Sequence, residues 1–508
     1  MMTGLTGLTV VVVGLGPMGR GIARIFAAAG AATTVVDRDE PTTVAGARTL
    51  QTEAEVDGVP VTVRPVADLA TAVAGADLLI EAVVEDPTVK EELLTRLAKV
   101  AGPELVVASN TSSLSISELG RVFGDPTRVV GMHFFNPPTK MRLVEVVRGA
   151  RTADAVVAQA VAWSRALGKT PVVCTDSPNF VVNRICRPLY YEAQLLVSQG
   201  VPAGVVDAVA RGALGHRMGP LELLDFTGLH THLGSSQTAY REFGDPRYRP
   251  IPLVKALVRA GATGRAAGVG FYDYQQEKPS AARARLTTPA PPPDGTKLRL
   301  AGPDAAPLRA DERIAAVVDD TAPLVLYRSL AAGDQQHLAE VAALRAAGAT
   351  VVVDSSAGDW LETLPPGVGW LRLHTPPAGP FAEVVDDPVA GIHPTPGVER
   401  VLAAVGAASV RVPALPGLVA DRLAHCLINE AVLVVEEGTA DPEAVDTALR
   451  LGMNHPVGPL ELLAQHGPAQ VYTSLCGMLR WLGDPRYRPT PLLRRQAAGA
   501  RRTAAVGA

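Results

Sequence analysis

Residues 8–14 read LTVVVVG, an unbroken β-branched run without polar alternation. A strand with one face in water alternates; a continuous apolar run of this length suits the middle of a parallel sheet covered on both faces. Apolar positions at helical spacing follow over 17–29, and TTVVD at 33–37 reads as the next strand, completing a βαβ unit. Further short apolar runs at 76–84 (ADLLIEAVV), 104–110 (ELVVASN) and 128–134 (RVVGMHF) alternate with helical stretches such as 90–100. This alternation predicts a doubly wound α/β domain over residues 1–177. From about Ser177 the strand signal stops, and apolar-periodic helices such as 181–198 and 205–213 predict an all-α domain over 178–274.

After GFYDY at 270–274, the Pro-, Ala- and Thr-rich stretch KPSAARARLTTPAPPPDG at 278–295 reads as a linker, bounded at 275–296. Beyond it the chain repeats itself. GPLELL at 219–224 recurs at 458–463 and DPRYRP at 245–250 recurs at 484–489, both at an offset of 239 residues. FVVNR at 180–184 likewise faces LVADR at 418–422, so a second helical domain is expected over 411–508. Residues 297–410 then stand where a second α/β domain belongs. The runs LVLYRSL (324–330) and ATVVVDSS (349–356) flank an Ala-rich helical stretch there, as strand-helix-strand requires.

Composition narrows the function classes. At 508 residues the chain exceeds what one core supports, and 47% apolar with 19% charged residues is the balance of a packed protein. A net charge of −4 provides no broad positive field, which argues against nucleic acid as a partner. Cys174, Cys186, Cys426 and Cys476 are scattered, with no CxxC pair and no histidine interleaved at ligand spacing, so free thiols and no metal are expected. Residues 1–7 carry no basic run, and the apolar stretch 8–13 is too short for a signal core or a membrane span, which points to the cytoplasm.

GLGPMG at 14–19 sets Gly14, Gly16 and Gly19 in a G-x-G-x-x-G arrangement directly after a strand and opening a helix, with Met18 inside it. These glycines permit a tight turn and close backbone approach to a pyrophosphate, which a helix N-terminus then holds. Asp37 ends the next strand, where a carboxylate accepts from ribose hydroxyls and repels a 2′-phosphate. NAD is therefore favoured over NADP, and the N-terminal domain is of Rossmann type. In 297–410 the nearest counterpart, KLRLAGPDAAP at 297–307, offers Gly302 alone, so a degenerate Rossmann-like domain is expected there.

Four further segments carry a resemblance: ASNTSSLSI at 108–116, GMHFFNPP at 131–138, LVEVV at 143–147 and NFVVNR at 179–184. At these residues, and over 8–274 as a whole, the chain resembles the L-3-hydroxyacyl-CoA dehydrogenase family. The resemblance implies an acyl-CoA substrate, His133 as catalytic base, Glu145 as its partner, and Ser112 and Asn183 as groups that contact the substrate oxygen and order the site. It also implies that Glu85 and Lys90 lie near the nicotinamide ribose, and that Met18 and Asn110 lie on the cofactor side. The chemistry suits these residue types. Oxidising a secondary alcohol removes the hydroxyl proton as hydride leaves, histidine takes such a proton near neutral pH, and a carboxylate on its other nitrogen fixes the tautomer.

Two departures stand out. Between Asp37 and Ala76, where the family carries a helical hairpin that touches CoA, this stretch is short, Gly- and Thr-rich and without lysine, which leaves open a carrier-protein thioester as the substrate or a more open acyl-CoA groove. The repeat keeps Pro376 and Pro377 but sets Arg372 opposite His133 and Asp421 opposite Asn183, and on this count His374 and Glu383 fall out of register. A site in the N-terminal half alone is expected, and a non-catalytic, crystallin-like binding role is the contrasting reading. The two-copy arrangement resembles the long-polypeptide branch of the family, which acts on hydroxybutyryl- or hydroxyadipyl-CoA in fatty-acid or aromatic-acid catabolism. Duplication leaves two assemblies open, a homodimer or a pseudo-dimer of helical domains within one chain.

Overall fold

The computed structural model describes residues 4–275, 286–289, 295–330 and 335–506, with 503–506 by backbone alone. Most of the linker expected at 275–296 lies outside the described residues. The chain forms two compact units that do not follow chain order: Met1–Arg184 with Val434–Asn454, and Ile185–Leu433 with His455–Ala508.

The first unit holds an eight-stranded sheet of β1 (Thr9–Val13), β2 (Ala32–Val36), β3 (Arg64–Pro65), β4 (Leu78–Glu81), β5 (Val106–Ser109), β6 (Val129–Phe134), β7 (Leu143–Arg148) and β8 (Thr170–Thr175). Its order is β3-β2-β1-β4-β5-β6-β7-β8, parallel throughout except for the β6–β7 pair. The chain runs outward from β1 to β3 and then returns to β4, so the order reverses between β1 and β4, the place where such sheets bind ligands. Val10 to Val13 of β1 are all buried, which is why the strand lacks alternation. Helix Pro17–Ala28 buries Gly19, Ile22, Ala23 and Phe26, the i, i+3, i+4, i+7 stripe.

The stretch after Asp37, expected to be short and Gly- and Thr-rich, forms a 17-residue helix, Glu40–Val56. Asp39 caps it by accepting from Thr42 N at 2.8 Å. Its buried face is only Thr43, Ala47, Leu50 and Ala54, a stripe too weakly apolar to read from sequence.

Helix Pro442–Met453, from far along the chain, packs on β7 and β8 in this same unit. Gly452 makes the approach possible: a Cβ there would lie 2.8 Å from Leu143 Cδ2, 3.1 Å from Val182 Cγ2 and 3.3 Å from the Phe135 ring. Thr175 N donates to Thr439 O at 2.9 Å, and Arg184 pairs with Glu437 at 2.8 Å.

In the second unit, β9 (Arg299–Ala301), β10 (Leu324–Arg328), β11 (Thr350–Asp354), β12 (Gly369–His374), β13 (Phe381–Val385) and β14 (Ala408–Val412) form a sheet of order β14-β13-β12-β11-β10-β9, with β12–β13 the antiparallel pair. It reproduces β1 and β4 to β8 of the first sheet. Counterparts of β2 and β3 are missing among the described residues, and with them the strand whose end would carry a ribose-binding carboxylate. Helix Ala203–Gly212 packs on β14, so each sheet receives a helix from the helical segment that follows the other sheet.

The two helical repeats meet inside the second unit. Arg422, on helix Ala420–Glu436, is fully buried against Glu192, and it donates to Gln199 Oε1 at 2.7 Å and to Tyr487 Oη at 2.9 Å. Tyr248 and Arg488, from the two DPRYRP segments, bond Glu430 and Asp245. Among the described residues no helix is long and apolar enough to cross a membrane.

Removing one partner of a buried ion pair strands the other charge away from water. Arg422→Met is expected to lose about 3–5 kcal/mol in urea unfolding, and the double variant Glu192→Leu/Arg422→Met to regain most of it. An Arg422→Met protein as stable as its parent would contradict the buried pair.

Candidate active site

The geometry starts from a register. In the β6–β7 hairpin, His133 stands directly opposite Glu145, and His133 Nδ1 lies 2.6 Å from Glu145 Oε2. Glu145 has no exposed surface. Its other oxygen accepts from Val181 N at 3.1 Å and Val182 N at 2.8 Å, at the start of helix Val182–Ser198. To aim those amides the chain takes a left-handed conformation at Asn179 (φ 65°) and Phe180 (φ 54°), costly for residues with a Cβ and found where surrounding structure holds them. The rings of Phe135 and Phe180 lie 4.5 and 6.0 Å from the imidazole. With Nδ1 tied to a carboxylate, Nε2 is the nitrogen that can exchange a proton with a ligand.

Around this pair the structure gathers the residues of the ASN segment. Asn110 Oδ1 accepts from Phe134 N at 2.9 Å, joining the ends of β5 and β6. Asn183 Nδ2 reaches Ser112 O at 3.4 Å. Glu85 Oε1 accepts from Thr111 Oγ1 at 2.7 Å, Ser112 N at 2.8 Å and Ser112 Oγ at 3.1 Å. Burial alone would raise the Glu85 pKa, but the Lys90 ammonium and these donors outweigh it and hold the carboxyl below its ordinary value.

Lys90, expected beside the nicotinamide ribose, is itself buried. Its ammonium donates to both oxygens of Glu81 at 2.8 Å and stands 3.4 Å from Glu85, so it acts on the site through Glu85. Sequence reasoning missed Glu81, which has no exposed surface and also accepts from Ser109 Oγ. The available signal was an acid closing the apolar run of β4. Its nine-residue separation from Lys90 follows no helix or strand period.

The glycine fingerprint fits a dinucleotide. Gly14 has φ +91°, and a Cβ on it would lie 2.7 Å from Ala82 O; one on Gly19 would lie 1.7 Å from Gly14 O; Gly16 faces open space. Gly16 is the N-cap of Pro17–Ala28 with no side-chain cap bond, which leaves amide donors for an anion. Asp37 Oδ2 accepts from Leu15 N at 2.7 Å, so the carboxylate sits against the loop it is expected to serve. Met18 packs on the core.

In the second copy, Gly302 (φ +91°) repeats the tight turn of Gly14, its Cβ position lying 2.3 Å from Arg328 O. Glu383 requires a correction: it is in register. It pairs across the hairpin with Arg372 and accepts from Val419 N at 2.8 Å and Ala420 N at 3.3 Å, as Glu145 does from its own helix start. A hairpin one residue shorter than the first changes the offset from 239 to 238, which counting from the proline pair hides. Arg372 bonds Asp354 (3.4 Å) and Asp421 (3.3 Å), and His374, on β12, takes the Glu383 contact at 2.9 Å.

Residues 9–177 match the 3-hydroxyacyl-CoA dehydrogenase NAD binding domain, and residues 180–274 and 417–507 each match the C-terminal domain of that family. The chain is 32% identical to 3-hydroxyadipyl-CoA dehydrogenase of Escherichia coli K12, over 96% of this chain and 97% of the relative. It is 38% identical to 3-hydroxybutyryl-CoA dehydrogenase of Bradyrhizobium diazoefficiens, over 53% of this chain and 96% of that one. Among solved structures, 3-hydroxybutyryl-CoA dehydrogenase from Escherichia coli K12 superposes with a TM-score of 0.78 at 29% identity, covering 97% of this chain and 99% of that one. The glycine loop at the sheet reversal, the His133–Glu145 pair and the twice-matched helical domain agree, and the chain belongs to the 3-hydroxyacyl-CoA dehydrogenase family as an NAD-dependent oxidoreductase.

Proposed function

We propose that the chain oxidises the 3-hydroxyl of an L-3-hydroxyacyl-CoA, or reduces the corresponding 3-oxo group, at a single site in residues 1–184, in the cytoplasm, with hydroxybutyryl and hydroxyadipyl groups as the acyl classes to compare. The names of the relatives at 32% and 38% identity motivate those two acyl groups. The observation that carries the site is the His133 Nδ1–Glu145 Oε2 contact of 2.6 Å, with Glu145 buried on a helix N-terminus.

His133 Nε2 takes the proton of the 3-hydroxyl. Glu145 holds the ring in the tautomer that leaves Nε2 basic, and stabilises the imidazolium as it forms. Ser112 and Asn183 hydrogen-bond the substrate oxygen, and Glu85 fixes the Ser112 backbone and hydroxyl in place. NAD, when bound, accepts the hydride from C3. Gly14, Gly16 and Gly19 bring backbone amides to its pyrophosphate, and Asp37 accepts from the ribose.

His133→Ala is expected to lower kcat with acetoacetyl-CoA and NADH by roughly 100- to 10,000-fold while NADH affinity stays within about twofold, with Glu145→Gln milder. A Glu145→Gln enzyme of unchanged rate would remove the orienting role. For the cofactor, Asp37→Ala should weaken NAD binding and narrow the preference over NADP; an unchanged ratio would contradict the assignment. Calorimetry should count one NADH per chain, since among the described residues the second sheet has no counterpart of β2, the strand that Asp37 follows, and a count near two would overturn the single-site reading.

A further inference from the structure

The second copy has more than lost a site. Three positions that carry Asn183, Arg187 and Thr227 in the first helical repeat carry Asp421, His425 and His466 in the second. Asp421 and His425 lie four residues apart in helix Ala420–Glu436, hence on one face, and His466 ends helix Pro459–His466. One ligand-type atom from each lies within 4.8 Å of the others. From this constellation we propose that the second copy binds a divalent transition-metal ion, zinc by its donor set, on Asp421, His425 and His466.

Four features support it independently. Asp421 Oδ2 is taken by Ser356 Oγ at 2.5 Å and by Arg372, whereas Asp421 Oδ1 is buried with no hydrogen-bond partner, on a residue 1% exposed. Such an oxygen is costly to leave bare and is available as a ligand. His425 Nδ1 lies 2.8 Å from Ser474 Oγ, the outer hydrogen bond that typically leaves the opposite nitrogen for a metal. His425 Nε2 faces His466 Nδ1 at 3.0 Å, and two nitrogens on tetrahedral zinc stand roughly 3.3 Å apart, so a shift of a few tenths of an ångström admits the ion. Finally, the buried carboxylates Asp354, Glu383 and Asp421 meet Arg328, Arg372 and the His374 imidazole, three carboxylates against two permanent cations, a balance that a bound cation improves.

Three protein ligands leave a fourth position open. Ser356 and Ser474, which touch Asp421 and His425, also line a cavity of about 280 Å³ together with Gly358, Pro416, Met478 and Trp481. The cavity thus lies one serine away from two of the ligands, and in this proposal a water or small donor from that side completes the coordination. Spacing rules missed the set because the histidines are 41 residues apart and the third ligand is a carboxylate.

The test uses the full chain, freed of metal by a chelator and then titrated with ZnCl2 or CoCl2. One equivalent of zinc per chain, a raised melting temperature, and the ligand-field bands of tetrahedral Co2+ are expected. His466→Gln and His425→Gln should each weaken zinc binding by at least about 100-fold and abolish the bands, while turnover of acetoacetyl-CoA stays within about twofold and reports an intact fold. A chain that binds no zinc, or one whose His466→Gln variant binds it as tightly, overturns the proposal. If both variants fail to fold, Ser474→Ala decides: unchanged zinc affinity counts against the site, and weakened affinity with full turnover supports it.

Discussion

The carboxylate of Glu145 is the fixed point of the first unit's candidate site, because it ties the β6–β7 hairpin to the start of the helix that follows the sheet. It is fully buried on β7, bonds His133 on β6, and accepts two amides from the first turn of helix Val182–Ser198. A bare carboxylate in that position would be costly, and the helix N-terminus offsets the cost with free N–H groups and its dipole. The register of the β6–β7 pair follows from the same constraint: slipping by one residue would turn His133 to the opposite face of the sheet. The left-handed residues at Asn179 and Phe180 are the local expense of bringing the helix start to the carboxylate.

The duplicated half shows which parts of this arrangement belong to the fold and which to the chemistry. Glu383 keeps the anchoring role, with the same two amides at a helix start and the same left-handed residue before it, here Leu418 at φ 45°. The partner across the hairpin has become Arg372, and the opposing amide Asp421, so an ionic contact stands where the first unit sets His133 opposite Glu145. Among the described residues the second sheet has counterparts of β1 and β4 to β8 but none of β2 and β3.

Retention of that half has a packing reason. Helix Pro442–Met453 lies against β7 and β8 of the first sheet, and its Gly452 comes within contact of Phe135, Leu143 and Val182, which flank the His133–Glu145 pair. Helix Ala203–Gly212 does the reciprocal service for β14, with Gly212 close against Phe381. The wall behind the first site is thus built by residues more than 250 positions later in the chain. The buried Glu192–Arg422 pair joins the two helical repeats, which ties the exchange together.

Much of this was legible in the residues. Periodicity, the glycine fingerprint, the HFFNP segment and the repeat offset depend on local sequence, and local sequence sets strands, helix starts and the residue types chemistry requires. The β-branched run of β1 and the strand-helix-strand of 324–356 were readable for that reason, whereas the roles of Ser112, His133, Glu145 and Asn183 came from the family resemblance that those segments carry. What only the tertiary structure decided depends on pairs far apart in the chain. Glu81 holds Lys90 through a turn of no fixed period, the 40–56 helix needs only a narrow stripe against the sheet, and Glu383 is in register because a hairpin lost one residue. The exchange of helices between sheets, and the meeting of Asp421, His425 and His466, follow from packing. Packing is settled by which faces find complementary shape and charge, a comparison between distant segments that no single stretch of sequence contains.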